Sequence, residues 1–484
     1  MLELAQRAID VAIGLGATYA DARVINQDYQ YIQTKDLTVA GLNLGTSRGI
    51  GIRVLCNGGW GFASTQELTQ EGVTVAARRA VEVAMASSLC LAKPVELARE
   101  PVYRATWVSP HLIDPFTISL EDKIGVLFEA ARTMLKVKGV TLAQGDMTFI
   151  RDHKLFVSSE GSCIDQTFTR SSCGIVSNAT EGDDRQRRSW PNSFGGQHEN
   201  AGWEMVAKWD LPGNAQRIAE ESVALLTAPQ CQSSVGTVVI GASQVGLQVH
   251  ESCGHPSELD RALLHEINFA GASFLTSDKL NNLKYGSNIV NLVADATTAG
   301  ALGGFGFDDE GVQAQDVALV KDGMFVGYLS SRDTAHMIGL ERSGGAMRAE
   351  SWNRQPIIRM TNISLLPGNA GSLEDLIADT DDGIYLDTNK SWSIDDRRYN
   401  FQFSTEAGYI IKKGKLAGLV KNPSYGGITT EFWNSCDAIC GEDEYVHWGL
   451  PNCGKGQPCQ TMWTGHGAAP ARFRNVQIGV AFAK

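Results

Sequence analysis

Val235-Gly-Thr-Val-Val-Ile-Gly-Ala-Ser-Gln-Val-Gly-Leu-Gln-Val-His-Glu-Ser-Cys-Gly-His255 is the stretch that decides how this chain folds. Thr237-Val-Val-Ile240 is short, apolar and β-branched, the composition of a buried strand. Ser243 then reads as the cap of a helix that runs into His250. The stretch follows Pro229, where the character of the chain changes. Beyond residue 285 strand patterns dominate, over 288–294, 314–321, 324–329, 357–366 and 408–420. Asp322-Gly323 and Lys413-Gly414 sit between apolar arms as hairpin turns. Residues 221–484 are thus predicted to be mostly antiparallel β, with the His250 helix mounted on them.

Upstream the pattern is mixed. Leu4, Ala8, Ile9, Ala12 and Ile13 share one face of a helix over about 3–14, closed by Gly14 and Gly16. Strand patterns follow over 21–25, 29–34 and 49–56, and Asn57-Gly58-Gly59 turns the last into Trp60-Gly61-Phe62. Ser64 with Glu67 resembles a capping box opening a helix to about Ser87. Residues 91–118, with four of the 14 prolines, read as an extended connector. Ser119 and Asp122 cap a further helix with Ile124, Leu127, Phe128, Ala131 and Leu135 on one face. From about 141 to 210 the pattern is β, with turns at Glu160-Gly161 and Glu181-Gly182-Asp183. Asn214 starts a helix through Leu226. The predicted class is α+β. An amino-terminal α+β domain spans 1–220, in sub-parts of about 1–90 and 110–220, and the boundary falls near 211–230.

The length of 484 residues suits two large domains or three smaller ones. Hydrophobic residues at 43% and charged residues at 20% exclude a disordered tail protein. A net charge of −12 disfavours a nucleic-acid partner. Ten irregularly spaced cysteines do not make a disulfide scaffold. The amino terminus shows no secretory pattern, and the longest apolar stretch, Val235–Val249, is broken by Ser243 and Gln244, so no membrane span is expected. A cytoplasmic protein with free or metal-bound thiols is the expectation.

The chemistry concentrates at His250-Glu251-Ser252-Cys253-Gly254-His255. There is no phosphate loop, because Gly454-Lys455 is followed by glycine, and no GxSxG elbow. With nine histidines, H-E-x-x-x-H arises by chance in fewer than about two chains in a hundred of this composition. Two imidazoles beside a carboxylate are parts of a catalytic zinc site: the rings hold the ion, the carboxylate takes a proton from water. The i, i+5 spacing separates the rings by about 140° on a regular helix. They can meet at one ion only if the helix is widened, as in a π-bulge, or ends at Gly254. A third ligand has to come from elsewhere. Cys253 is too near in sequence; Cys436, Cys440, Cys453, Cys459, His447 and His466 are all available. The spacings of Cys436–Cys440 and Cys453–Cys459 lack the two-residue knuckle of a four-cysteine zinc.

The chain resembles the TldD/PmbA metallopeptidases, the TldD branch in particular. The resemblance runs through Ala20-Asp-Ala-Arg23, Gly49-Ile-Gly-Ile-Arg-Val54, Gly59-Trp-Gly-Phe-Ala-Ser64 and the Val249–His255 segment. It continues in Gly304-Phe-Gly-Phe-Asp-Asp-Glu-Gly311, Arg359-Met-Thr-Asn362, Leu366-Pro-Gly368 and Asn452-Cys-Gly-Lys-Gly-Gln457. It implies a zinc peptidase binding one Zn²⁺ per chain. By motif, His250, His255 and Cys453 are its ligands and Glu251 is the general base. It also implies a dimer enclosing the active sites, formed with a second copy or a related subunit, and unfolded or flexible peptides as substrates, bound as an added strand. Cys253 and Pro256 depart from the family pattern, and Cys253 and Cys459 have no role assigned by it.

The remaining motif residues divide between chemistry and packing. Gly59-Trp-Gly-Phe62 is expected in core and turn, Asp308-Asp309-Glu310 at a solvated hairpin edge, and Arg185-Gln-Arg-Arg188 in a solvated loop. Arg359 and Asn362 are candidates for touching a substrate backbone. A different class of function is a non-catalytic partner subunit in which zinc only clamps the domains. Such a site needs no adjacent carboxylate like Glu251 and is usually closed by a fourth protein ligand.

Overall fold

Helix α1 (Leu2–Gly14) buries Ala5, Ala8, Ile9 and Ala12 against the first sheet, and its i, i+3, i+4 spacing is the reason it forms. The computed structural model describes residues 1–266 and 271–479. β1 (Tyr19–Lys35) and β2 (Thr38–Cys56) make one long hairpin, so the separate segments read from sequence are continuous strands. β3 (Gly59–Thr65) returns through Asn57 and Gly58, both at positive φ, as a type I′ turn requires. α2 (Gln70–Ser88) packs on β3. A Cβ on Gly61 would lie 2.0 Å from the Ala80 carbonyl, so only glycine permits this approach. The predicted Ser64 cap is wrong. Ser64 is still pairing with Gly51, and the helix starts later, with the Thr69 side chain accepting from the Gly72 N–H.

The predicted connector holds β4 (Arg104–Val108), which lies parallel to β6. α3 (Leu120–Leu135) is capped by Ser119 as predicted. β5 (Val140–Ser158), β6 (Cys163–Glu181), β7 (Asp184–Trp190) and β8 (Gln197–Glu199) complete an eight-stranded sheet with the path β3-β2-β1-β5-β6-β4. The tail of the predicted β region is instead a short helix, α4 (Glu204–Trp209). α5 (Leu211–Thr227) follows, capped by Asp210.

β9 (Ser234–Ile240) begins the second half, exposed at its start and buried over Val238–Ile240. α6 (Ala242–Val249) follows it, with Gly241 and not Ser243 at its N-cap. A π-helical turn (His250–Gly254) and the short α7 (Leu259–Ala262) come next. Six short strands then cross the loops: β10 (Leu292–Asp295), β11 (Asp316–Lys321), β12 (Met324–Phe325), β13 (Met347–Arg348), β14 (Ile357–Ile358) and β15 (Ile363–Leu365). After α8 (Leu373–Ala378) come β16 (Asp382–Ile394), β17 (Asn400–Lys412), β18 (Lys415–Val420) and β19 (Ser424–Ile428). α9 (Thr429–Asn434), β20 (Cys436–Ile439), β21 (Val446–Lys455), β22 (Gln460–Ala468) and β23 (Ala471–Ile478) end the fold. β9 pairs with β16 and β23, β23 with β19, β19 with β17, and β17 with β16. The pairings close on themselves, and only β16–β9 is parallel among them.

Of the charged motifs expected in solvent, Asp308-Asp309-Glu310 is buried, whereas in Arg185-Gln-Arg-Arg188 only Gln186 and Arg188 are buried and Arg185 is exposed. Asp308, Asp309 and Glu310 are each at most 3% exposed. Asp309 pairs with Lys154 and faces Arg23, while Glu310 pairs with Arg53 and accepts from the Arg332 N–H. Asp308 accepts from the N–H groups of Glu310, Val312 and Met347. Arg188 belongs to strand β7, not to a loop. It is buried and pairs with Glu221 and Asp387 at 2.7 Å and with Glu406 at 3.6 Å. Asp309, Glu310, Asp387 and Glu406 meet cations from the other half of the chain, Glu221 pairs with Arg188 within its own half, and each charge compensates its partner's lost hydration.

Candidate metal centre

The site is built on the end of α6. The His255 N–H donates to the His250 carbonyl at 3.1 Å, one residue further than in an α-helix. This widened turn removes the angular offset of the i, i+5 spacing and brings the two rings together edge to face, with centroids 4.9 Å apart. Ser252 holds the turn open. Its carbonyl accepts from the Tyr285 hydroxyl at 2.8 Å and its hydroxyl from the Trp433 indole at 2.9 Å. Gln244 and Gln248 are buried in the helix behind and both bond to the Tyr425 hydroxyl. At Gly254 a Cβ would meet the Met360 sulfur at 2.1 Å, so the turn ends where it can pass closest to the strands. Cys253 points into the core and is fully buried, away from any ligand role.

Across from this turn lies β21 with Cys453. Ligand atoms of His250, His255 and Cys453 all fall within 4.8 Å of one another, and all three residues are buried. The Cys453 Sγ is 3.6 Å from His255 Nε2. The loop around Cys453 is tied to the helical side. Lys455, fully buried, donates to Asp260 at 2.7 and 2.8 Å and to the Ile358 carbonyl at 2.7 Å. Arg359 donates to the carbonyls of Cys453 and Gln460. Arg359 therefore shapes the site from behind and touches no cleft. Asn362 is likewise structural, bonding the Gly303 N–H and the Asp295 carbonyl. Cys459 lines the cleft but lies outside the cluster, and Cys436, Cys440 and His447 lie elsewhere.

Electrostatics suit a cation. Burial drives the His250 ring down to about 4 and lowers His255 as well, so both are neutral bases at pH 7. Burial alone would push the Cys453 thiol up, but His255 and the Arg359 guanidinium outweigh it and hold it below its ordinary range. Each ring has a partner behind it. His255 Nδ1 donates to Glu258 at 3.0 Å. Glu258 is fully buried, and Lys455, Arg261 and His255 overcome the effect of burial to keep it well below the carboxylate range. Behind His250, His466 Nδ1 donates to the Ile363 carbonyl at 3.0 Å, which leaves its Nε2 to accept from His250 Nδ1 at 2.7 Å. Both ligand rings thus direct a bare Nε2 into the site, as a metal requires. His466, one of six alternatives for third ligand in the sequence, is a supporting ring here.

Two neutral imidazoles and one acidified thiol, buried together and oriented from behind, are a donor set that suits a transition-metal ion. They lie in a cleft of about 550 Å³ whose walls include Glu251, Trp392, Ile394 and Arg398. Glu251 is 6% exposed and has Arg398 Nε at 3.7 Å from its Oε2.

Sequence profiles match in three consecutive blocks. The PmbA/TldA metallopeptidase domain 1 covers residues 20–84, the central domain 113–227 and the C-terminal domain 233–479. The chain belongs to the PmbA/TldD metallopeptidase family. A metalloprotease of Methanothermobacter thermautotrophicus is 31% identical over 95% of both chains. One from Methanocaldococcus jannaschii is 28% identical over 90% of this chain and 92% of its own. The metalloprotease TldD homolog of Haemophilus influenzae is 25% identical over 95% and 92%. Among solved structures, TldE from Thermococcus kodakarensis superposes with a TM-score of 0.74 at 16% identity, covering 99% of this chain and all of its own. This family membership accounts for the α+β architecture, and the matched C-terminal domain spans the paired histidines. No helix among the described residues is long and apolar enough to cross a membrane.

Proposed function

We propose that this chain is a zinc-dependent peptidase acting on unfolded or flexible peptides. His250, His255 and Cys453 hold one zinc ion, and Glu251 is the general base. The observation that carries this reading is the convergence of three buried ligand atoms within 4.8 Å, with Glu251 on the wall of the same cleft. Bound zinc supplies Lewis-acid polarisation and a more acidic water. Glu251 takes a proton from the attacking water and passes it to the departing amine. A purely structural ion would normally be closed by four protein ligands, whereas the cluster among the described residues numbers three.

The cleft wall supports this substrate form. β16 pairs with β17 over Ser391–Ile394, but with β9 only at Ile384–Leu386. The other edge of 391–394 has no strand partner among the described residues, and Trp392, Ser393 and Ile394 line the cleft. An extended peptide can add there by backbone pairing, which a folded protein cannot. The test is cleavage of a fluorogenic flexible peptide with and without chelator, in the parent and in Glu251→Gln. Turnover should vanish with chelator. It should fall by about 10²–10⁴ in the variant, which keeps its zinc. Turnover of Glu251→Gln within a few-fold of the parent would refute the mechanism. We further propose that the chain works as a dimer, with a second copy or a related subunit. Light scattering that shows only 52 kDa particles, alone and with a co-expressed homologue, would refute that.

A further inference from the structure

Arg398 stands in the loop between β16 and β17, and its backbone is held in the left-handed region at φ 63°. That conformation is costly for a residue with a side chain and persists only where the surroundings enforce it. Here they do. The Asp395 carboxylate accepts from the N–H groups of Arg397, Tyr399 and Asn400, and its carbonyl accepts from the Arg398 N–H. Thr429 donates to the Arg398 carbonyl at 2.9 Å. The loop therefore aims one side chain rigidly at the cleft wall.

That side chain is 4% exposed but poorly used. Nη1 reaches only the Asp395 carbonyl, at 3.3 Å. Nε has no hydrogen-bond partner among the described residues. Glu251, at 3.7 Å, is near enough to attract but too far to bond. By contrast all three nitrogens of the buried Arg53 bond to carboxylates, of Asp21 and Glu310, at 2.6–2.9 Å. A buried guanidinium with an unspent donor, beside the candidate base and in the same cleft as the ligand cluster, is arranged for a guest acceptor.

We propose that Arg398 is a catalytic residue that donates to the carbonyl oxygen of the scissile amide. The inference rests on the peptidase reading above. Water attacks the carbonyl carbon, a C–O bond forms, and the water proton goes to Glu251. The π electrons move to the carbonyl oxygen, where Arg398 meets the developing negative charge. The C–N bond then breaks, the pair on oxygen restores the C=O bond, and the proton passes from Glu251 to the amine. A fixed donor placed before charge develops needs no reorganisation when it does.

The test uses zinc-loaded Arg398→Met and Arg398→Lys, with zinc content checked first and expected to match the parent. On a C-terminally amidated fluorogenic peptide, Arg398→Met should lose about 10²–10³ in kcat with KM within a few-fold, and Arg398→Lys should recover part of the loss. A peptide analogue bearing a phosphinate in place of the scissile amide separates this role from one exerted through Glu251. Its affinity should fall on Arg398→Met even in a Glu251→Gln background. Unchanged kcat, a phosphinate effect that vanishes without Glu251, or a KM effect confined to peptides with a free carboxylate would each overturn the proposal. If the parent itself shows neither zinc-dependent cleavage nor phosphinate binding, the peptidase reading falls and takes this one with it. If the parent passes and only Arg398→Met is silent, the peptidase reading stands alone.

Discussion

Replacing His466 with alanine should weaken zinc binding without removing any ligand. The Ile363 carbonyl fixes the proton of His466 on Nδ1, so its Nε2 can only accept, and His250 Nδ1–H is the donor 2.7 Å away. His250 then has Nε2 free for the ion. Without His466, apo His250 can move its proton to Nε2, which faces the cleft, and leave no donor stranded. Binding zinc forces that proton back to Nδ1, now buried without an acceptor. The penalty therefore falls on the loaded form. A buried unsatisfied donor costs about 1–3 kcal/mol. At 1.4 kcal/mol per tenfold, that is a loss of roughly tenfold to a hundredfold in affinity, the range seen when partners behind metal-bound histidines are removed. Competition with a fluorescent chelator at fixed pH measures it. Thr464→Val is the control, because Thr464 approaches His466 Nε2 only at 3.2 Å and is not the group that sets its tautomer. Its affinity should stay within about threefold of the parent. If His466→Ala binds zinc as tightly as the parent, or Thr464→Val is equally damaging, the argument from tautomers is wrong.

Cys453→Ala should lose most bound zinc while Cys459→Ala keeps it, since only Cys453 joins the histidine cluster; elemental analysis reversing that order would reassign the ligand. Arg188→Ala leaves Glu406 buried opposite a missing cation and should destabilise the protein by about 3–5 kcal/mol, as read by denaturant titration. A loss below about 1 kcal/mol there would mean that Arg187, which also pairs with Glu406, is sufficient compensation.

What the sequence disclosed were features whose cause is local. Turn pairs such as Asn57-Gly58 and Asp322-Gly323 have the positive φ angles their residue types favour, and they set the hairpins. The apolar spacing of 120–135 sufficed for its helix. Even the break in regular helix at His250–Gly254, by a widened turn or a helix end, followed from counting residues per turn. The charged motifs misled because their partners are remote: Glu310 meets Arg53 across 257 residues, and no local pattern distinguishes that from a solvated edge. Ser64 failed as a cap because strand pairing with Gly51 took precedence over local propensity. His466 and Arg398 had no signature, since each acquires its role from a neighbour that only the fold supplies. For His466 the sole hint was the surplus of histidines near the carboxy-terminal cysteines.

The closure of the second sheet on itself ties maturation to translation. β9, made at residues 234–240, has as its neighbours β16 and β23, and β23 ends at residue 478. The first sheet needs nothing beyond residue 199 and can assemble while the ribosome is still at work. The strand that leads into His250 must wait, half-paired, until residue 478 has been made. Cys453 arrives only shortly before it. A nascent chain therefore carries no assembled centre, and its own extended segments, the kind of polymer the proposed peptidase would take, are out of the polypeptide exit tunnel before any copy of that centre exists on the same chain.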